Sequence, residues 1–225
     1  MVRRFWIGTL LSSLLFCCVC GFGETRTYRE TTGEETLILT QRIEPVPEGY
    51  SVVQRAEKSG TLVIRARMTL DSDFATLAWE YSDSRKGIQL SAYRMGDVIV
   101  LTGRREGKRV DRKLQISSDP WFQAYPLSFE KFVVSGHKQR LYWSVNPSDT
   151  NAYDFSVTRR GVEEVTVNGR QEQASHLYIT LRGFRSAFWH ADSWHRISDG
   201  MYFRYEGASG GPGSPLTTSE LILVE

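Results

Sequence analysis

TLVIRARMTL, Thr61 to Leu70, is the stretch that decides the fold. Leu62, Ile64, Ala66, Met68 and Leu70 fall at every second position, with Thr61, Val63, Arg65, Arg67 and Thr69 between them. Successive side chains of a strand point to opposite faces, so the segment has one dry side and one mostly wet side. A strand buried on both faces reads instead as a continuous Val/Ile/Leu run, the mark of a parallel sheet. The alternation therefore predicts an antiparallel sheet with one covered face.

Outward from this segment the same period marks strands near 36–43, 49–56, 74–81, 87–94, 97–103 and 108–116. It resumes near 139–145, 152–159, 161–167, 173–182, 186–191, 200–206 and 216–224. The connections are short and rich in Gly, Asp, Asn and Ser. Val167-Asn168-Gly169-Arg170 is the clearest, because Asn-Gly adopts the positive φ angles of a two-residue type I′ turn. Met95-Gly96-Asp97 is a second turn, and GASGGPGSP, Gly207 to Pro215, reads as a flexible hairpin tip. That last segment lacks the lysine and the following helix of a phosphate loop. Strands in unbroken succession predict one mainly β domain over 36–225, a large curved antiparallel meander or half-barrel. Many twisted strands curl, and a curled sheet must fill or cover its apolar face.

One segment breaks the pattern. SSDPWFQAYPLSFEKFVVSG, Ser117 to Gly136, reads as helical, with Asp119 as cap and Pro120 as first residue, where a missing N–H costs nothing. Pro126 then kinks or restarts it. Trp121, Phe122, Tyr125 and Phe129 are too apolar for an exposed loop, so the segment is expected to dock on the concave face. It is read as a lid over a ligand space, with a filled plug as the alternative. Trp79, Trp121, Phe122, Tyr125, Phe129 and Trp143 are the candidate ligand-binding residues, since an apolar pocket between sheet and helix is the ordinary form of a small-molecule site.

The chain opens MVRRFWIGTLLSSLLFCCVCGFGE. Two arginines, an apolar run from Phe5 to about Val19 and small residues at Gly21 and Gly23 match a secretory signal peptide over 1–23. The run of about 15 residues is short for a membrane span, which needs about 20, and no second such run follows. The expectation is an exported periplasmic or cell-envelope protein with no transmembrane span in the mature chain. All three cysteines, Cys17, Cys18 and Cys20, lie in the leader; lipid anchoring at Cys18 or Cys20 is the alternative to plain cleavage. With cleavage after Gly23 the mature chain would lack both disulfides and a thiolate. A domain of this length manages without bridges, burying ~70% of its unfolded surface. Glu24 to Glu35, ETRTYRETTGEE, is polar and reads as a flexible lead-in.

Subtracting Arg3 and Arg4 leaves 26 basic against 26 acidic residues. That balance and the export signal argue against nucleic acid, which wants a net basic stripe. The cluster Arg104, Arg105, Lys108, Arg109, Arg112 and Lys113 is broken by Glu106, Gly107 and Asp111 and reads as a solvated hairpin.

The succession VTVNG, ASHLYITLRG, Trp189 or Trp194, DGMYFRYEG and SEL, from Val165 to Leu221, resembles a group of secreted bacterial proteins of unknown function. The resemblance implies a sheet curved into a half-barrel around a helix. That architecture is similar to the bacterial lipoprotein carrier and its outer-membrane receptor, whose concave sheets hold acyl chains. This chain departs from the carrier in having one candidate lid segment and no obvious exposed receptor-style loop.

FWHADSWHRISDG, Phe188 to Gly200, concentrates two of the four histidines. His190, Asp192 and His195, with Asp199, could offer metal ligands, but zinc needs three or four that converge. Asp192-Ser193 and Ser198-Asp199-Gly200 are also ordinary turn chemistry, and the segment is read as a structural corner anchored by Trp189 and Trp194. His176 alternates with Tyr178 and Thr180 on the polar face, and His137 follows Gly136 in a loop. Neither histidine has beside it a serine or cysteine in a recognisable nucleophile turn. The expectation is a binding or carrier protein for a lipid-like ligand, needing no cofactor or metal. A structural or assembly protein is the second reading and a hydrolase the third.

Overall fold

A computed structural model describes residues 23–208 and 214–225; the leader and the centre of the 207–215 tip lie outside the described residues. Eight strands form the first wing: β1 (Glu24–Thr32), β2 (Glu35–Val46), β3 (Gly49–Lys58), β4 (Thr61–Leu70), β5 (Thr76–Asp83), β6 (Ile88–Met95), β7 (Val98–Arg105) and β8 (Lys108–Gln115). The second wing follows a short helix, α1 (Glu130–Val134). It comprises β9 (Gln139–Asn146), β10 (Asn151–Val167), β11 (Arg170–Leu181), β12 (His190–Arg196), β13 (Tyr202–Ala208) and β14 (Leu216–Val224). All join in one antiparallel, curved 14-stranded sheet in which β1 pairs with β14 and the edges are β8 and β9. Among the described residues no helix is long and apolar enough to cross a membrane.

Residues 24–32 are thus a central strand and not a flexible lead-in. β1 joins the two wings, pairing along its length with β2 on one side and β14 on the other. Its inward side chains include Arg26 and Tyr28, 5% and 1% exposed. Arg26 donates to both oxygens of Glu130 in α1 and to Glu24. Burial pushes the Glu130 carboxyl up to about 7, against the pull of Arg26. Burial works to lower Arg26 too, but its bonds to Glu24 and the charge of Glu130 hold it above its ordinary range. The two directions conflict over the proton. The two-pronged contact is that of an ionised pair, and the fork geometry favours that state.

The decisive strand keeps its alternation from Ala66 to Leu70, where Ala66, Met68 and Leu70 are buried and Arg65 and Arg67 exposed. A bulge opposite Ala56 and Glu57 breaks the register, leaving Leu62 46% exposed and Ile64 half-buried. An extra residue at a bulge shifts every side chain beyond it, so Leu62 leaves the core face. The two strands expected at 152–159 and 161–167 are one strand, β10, with a bulge between Arg159 and Gly161. Asn168 and Gly169 take φ 50° and 77° at the hairpin tip, as the type I′ turn requires. Val165 and Val167 pack against the cluster that includes Tyr28, Phe203 and Leu221.

The aromatic segment lies inside. Residues 119–126 are not helical: Pro120 does not begin a helix, and a single turn at Leu127–Phe129 leads into α1. Its backbone is sewn to the sheet instead. Phe122 N–H donates to Trp143 O (2.8 Å), Trp143 N–H to Pro120 O (2.8 Å) and Thr76 N–H to Trp121 O (2.7 Å). Those bonds satisfy polar groups that a buried helix start would otherwise leave open. Trp121, Ala124 and Leu127 enter the core of the first wing; Phe122, Phe129, Phe132 and Val133 enter that of β9 to β12. The segment is therefore a plug, which corrects the lid expectation: it is covered on both sides by apolar side chains. Across the gap between the sheet edges, Arg112 of β8 donates to Thr150 O (2.8 Å) and Asn151 Oδ1 (3.0 Å).

Candidate functional site

The plug does not fill the shell. Beside it a trough of about 620 Å³ remains on the concave side of β9, β10, β11, β13 and β14. Its wall is mixed: Val145, Tyr153, Phe155, Leu181, Phe188, Trp189 and Tyr205 form an apolar part, and Gln123 of the plug, Ser144, Asn146, Asp149, Arg185 and Thr217 a polar one. A smaller hollow of about 120 Å³ also touches Gln123 and Pro147, and extends under Leu39, Ile64, Trp79 and Tyr81 to Glu30. Burial raises the Glu30 carboxyl, while nearby Arg85 opposes the rise.

The wall is rigid. Phe155 stacks on Tyr142 with centroids 5.2 Å apart, and Trp189 meets Phe155 edge-on at 5.4 Å. Trp189 Nε1–H donates to Ala208 O (3.0 Å), and Tyr205 meets Tyr125 edge-on at 6.0 Å. Rings held in such a lattice lose little entropy when a ligand arrives, so the surface is preorganised. Gln123 is fixed five ways, accepting from Trp121 Nε1 (2.9 Å), Val145 N (3.0 Å) and Ser144 Oγ (3.4 Å) while donating to Val145 O (2.9 Å) and, through its backbone N–H, to Thr76 Oγ1 (2.9 Å).

The turn Gly183–Ala187 borders the trough through Arg185. The extended segment expected over 186–191 is this turn followed by β12. Phe184 and Phe188 are 80% and 57% exposed there, so the chain does carry an exposed apolar loop that its sequence did not reveal. Arg185 reaches over the Tyr153 ring, 5.7 Å from its centroid. Tyr153 donates its hydroxyl to Asp149 (2.6 Å), which holds the phenol above its ordinary range.

Of the six side chains singled out from sequence, none lines the large trough. Trp79 faces the small hollow. Trp121, Phe122 and Phe129 are 0% exposed within the plug core, Tyr125 is half-buried beside Tyr142, and Trp143 bonds Ser117 Oγ through Nε1 (2.9 Å). The trough residues were missed because they come from the plug, five strands and a turn and share no local motif. The one available signal was aromatic side chains at inward positions of neighbouring strands.

The histidine-rich corner is a strand, β12, and Asp192 and Ser193 lie within it; the turn falls at 197–200. His190 and Asp192 face outward and His195 faces in, so the three do not converge. His176 is held on the outer face by Glu163 (Nδ1, 2.8 Å) and Asp192 (Nε2, 2.6 Å) and stacks on Trp194. His195 accepts from the Ser193 hydroxyl (2.6 Å) and donates through Nδ1 to Gly200 O (2.9 Å). Burial pushes this imidazole down to about 4, and neither Ser193 nor His195 has any exposed surface. The pair has the chemistry of a nucleophile and base but no face open to a substrate. Gly200 has φ 79° and approaches α1 so closely that a Cβ would sit 2.4 Å from Glu130 O; it ties the β12–β13 turn to the plug.

No family model matches the sequence, and no curated protein matches it. Among solved structures, the fold is similar to the crystal structure of a beta-barrel-like protein of Domain of Unknown Function DUF1849 from Brucella abortus. The TM-score is 0.60 at 10% identity, over 90% of this chain and 97% of that one. At that identity the likeness shows the fold alone. The hypothetical lipoprotein YmcC from Escherichia coli (K12) aligns over 89% of this chain and 83% of its own, at 9% identity and a TM-score of 0.34. That score carries no argument.

Proposed function

We propose that the chain is an exported cell-envelope protein that binds or carries an apolar, lipid-like ligand in the trough beside the plug. The observation that supports this reading is a ring-lined, largely apolar concavity of about 620 Å³ left open next to a plug whose Trp121, Phe122 and Phe129 are 0% exposed. Its size and lining are those of small-molecule sites generally. Fold likeness adds nothing here, because one fold hosts many functions. The test is native mass spectrometry of the purified protein for co-purified lipid, paired with uptake of the neutral probe Nile red. Leu181→Glu places a carboxylate in the wall and should abolish uptake while the far-ultraviolet spectrum is unchanged. A wild type that carries no lipid and takes up no probe removes this reading.

The second reading is a structural or assembly protein of the envelope. Full burial of Trp121, Phe122 and Phe129 favours it, since much of the concavity is already occupied by the chain itself. Failure of both lipid and probe binding would leave that reading in place.

A further inference from the structure

Given the trough as a ligand site, its charges narrow the ligand's chemistry. Arg182, beside the trough, is paired with Asp154 at 3.6 Å. Asp149, on the wall, already accepts from the Tyr153 hydroxyl (2.6 Å), Asn151 N–H (2.9 Å) and Asn146 Nδ2 (3.4 Å). Arg185 differs. Among the described residues its guanidinium has no carboxylate partner and lies over the rings of Tyr153 and Phe184, 5.7 and 5.9 Å from their centroids. Among the described residues Asp149 is thus met by three neutral donors, whereas the Arg185 guanidinium, on the same trough, makes no hydrogen bond and keeps its donors open.

We infer that the trough takes a single-chain amphiphile with an anionic head, a long-chain carboxylate, whose head pairs with Arg185 and whose tail lies along Phe155, Leu181 and Trp189. A guanidinium presents two parallel N–H donors that match a carboxylate, and Arg185 meets it without breaking an existing ion pair. Its stacking on Tyr153 orients the fork and limits the rotamer freedom lost on binding. A cleft of this volume suits one alkyl chain lined by apolar side chains.

Displacement of bound Nile red by dodecanoate and by 1-dodecanol at pH 8, where the carboxylate is ionised, tests the inference. The wild type should prefer dodecanoate by about tenfold, the worth of one charge-assisted hydrogen bond. Arg185→Gln should bring the two ligands to parity, Arg185→Lys should restore part of the preference, and Arg182→Gln should leave it intact. From octanoate to dodecanoate, affinity should climb about fourfold per methylene. If dodecanol binds as well as dodecanoate, or Arg182→Gln erases the preference equally, head-group recognition by Arg185 is refuted while the apolar trough stands. If neither ligand nor probe binds, the trough reading falls and this inference with it.

Discussion

Replacing Trp121 by alanine is expected to be among the most damaging single changes available in this protein. The side chain is 0% exposed and packs among apolar residues of the first wing. Truncating a buried tryptophan costs about 3–5 kcal/mol in transfer and cavity terms. Its Nε1–H bond to Gln123 Oε1 is lost as well, at about 1 kcal/mol. Gln123 Oε1 keeps the Val145 N–H, so no acceptor is orphaned and no larger penalty follows. The sum, about 4–6 kcal/mol, takes up much of a native stability of about 5–15 kcal/mol. Trp121→Phe keeps most of the apolar contact and should cost about 1–2 kcal/mol. Phe188→Ala, at an exposed position, should stay within about 0.5 kcal/mol. Urea unfolding followed by far-ultraviolet circular dichroism measures all three, with an unchanged denaturant slope as the check on two-state behaviour. A Trp121→Ala cost below about 1.5 kcal/mol would refute the plug: the segment would then be a cover that lifts away from the sheet.

Met68→Asp should destabilise by several kcal/mol, because it buries an unpaired charge at a position 1% exposed, whereas Arg67→Asp should stay within about 1 kcal/mol. Equal losses would mean that the face assignment of β4 is wrong. The exported protein should begin near Gly21 to Glu24 with no acyl group, as intact mass reports; a retained leader or a diacylated cysteine would sink that expectation. Burial holds His195 neutral down to about pH 4, so its contribution to stability is present above the ordinary value of about 6.5 and lost as pH falls toward 4. The loss is about 3 kcal/mol. The reading is therefore the difference in pH slope between wild type and His195→Asn, and identical slopes would refute it.

Local periodicity settled what local periodicity can settle. Ala66, Met68 and Leu70 face inward because side chains in a strand alternate, and Asn168-Gly169 turns because few other pairs accept two positive φ angles. The aromatic content of residues 121–133 likewise announced burial before any partner was known. β1 was hidden because its inward positions include Arg26 and Glu30, which look solvated in a sequence; only the fold brings Glu130, 104 residues away, to meet Arg26. Leu62 was misplaced because a bulge is a defect of pairing between two strands and leaves no mark on either alone. The plug's extended course depended on backbone partners in β5 and β9, and the trough on separate segments that converge only when the sheet curls. A sequence records the preferences of neighbours along the chain. Which distant groups meet, and what space they leave open between them, is determined by closure of the sheet, where hydrogen bonds and buried charges between remote strands are satisfied together.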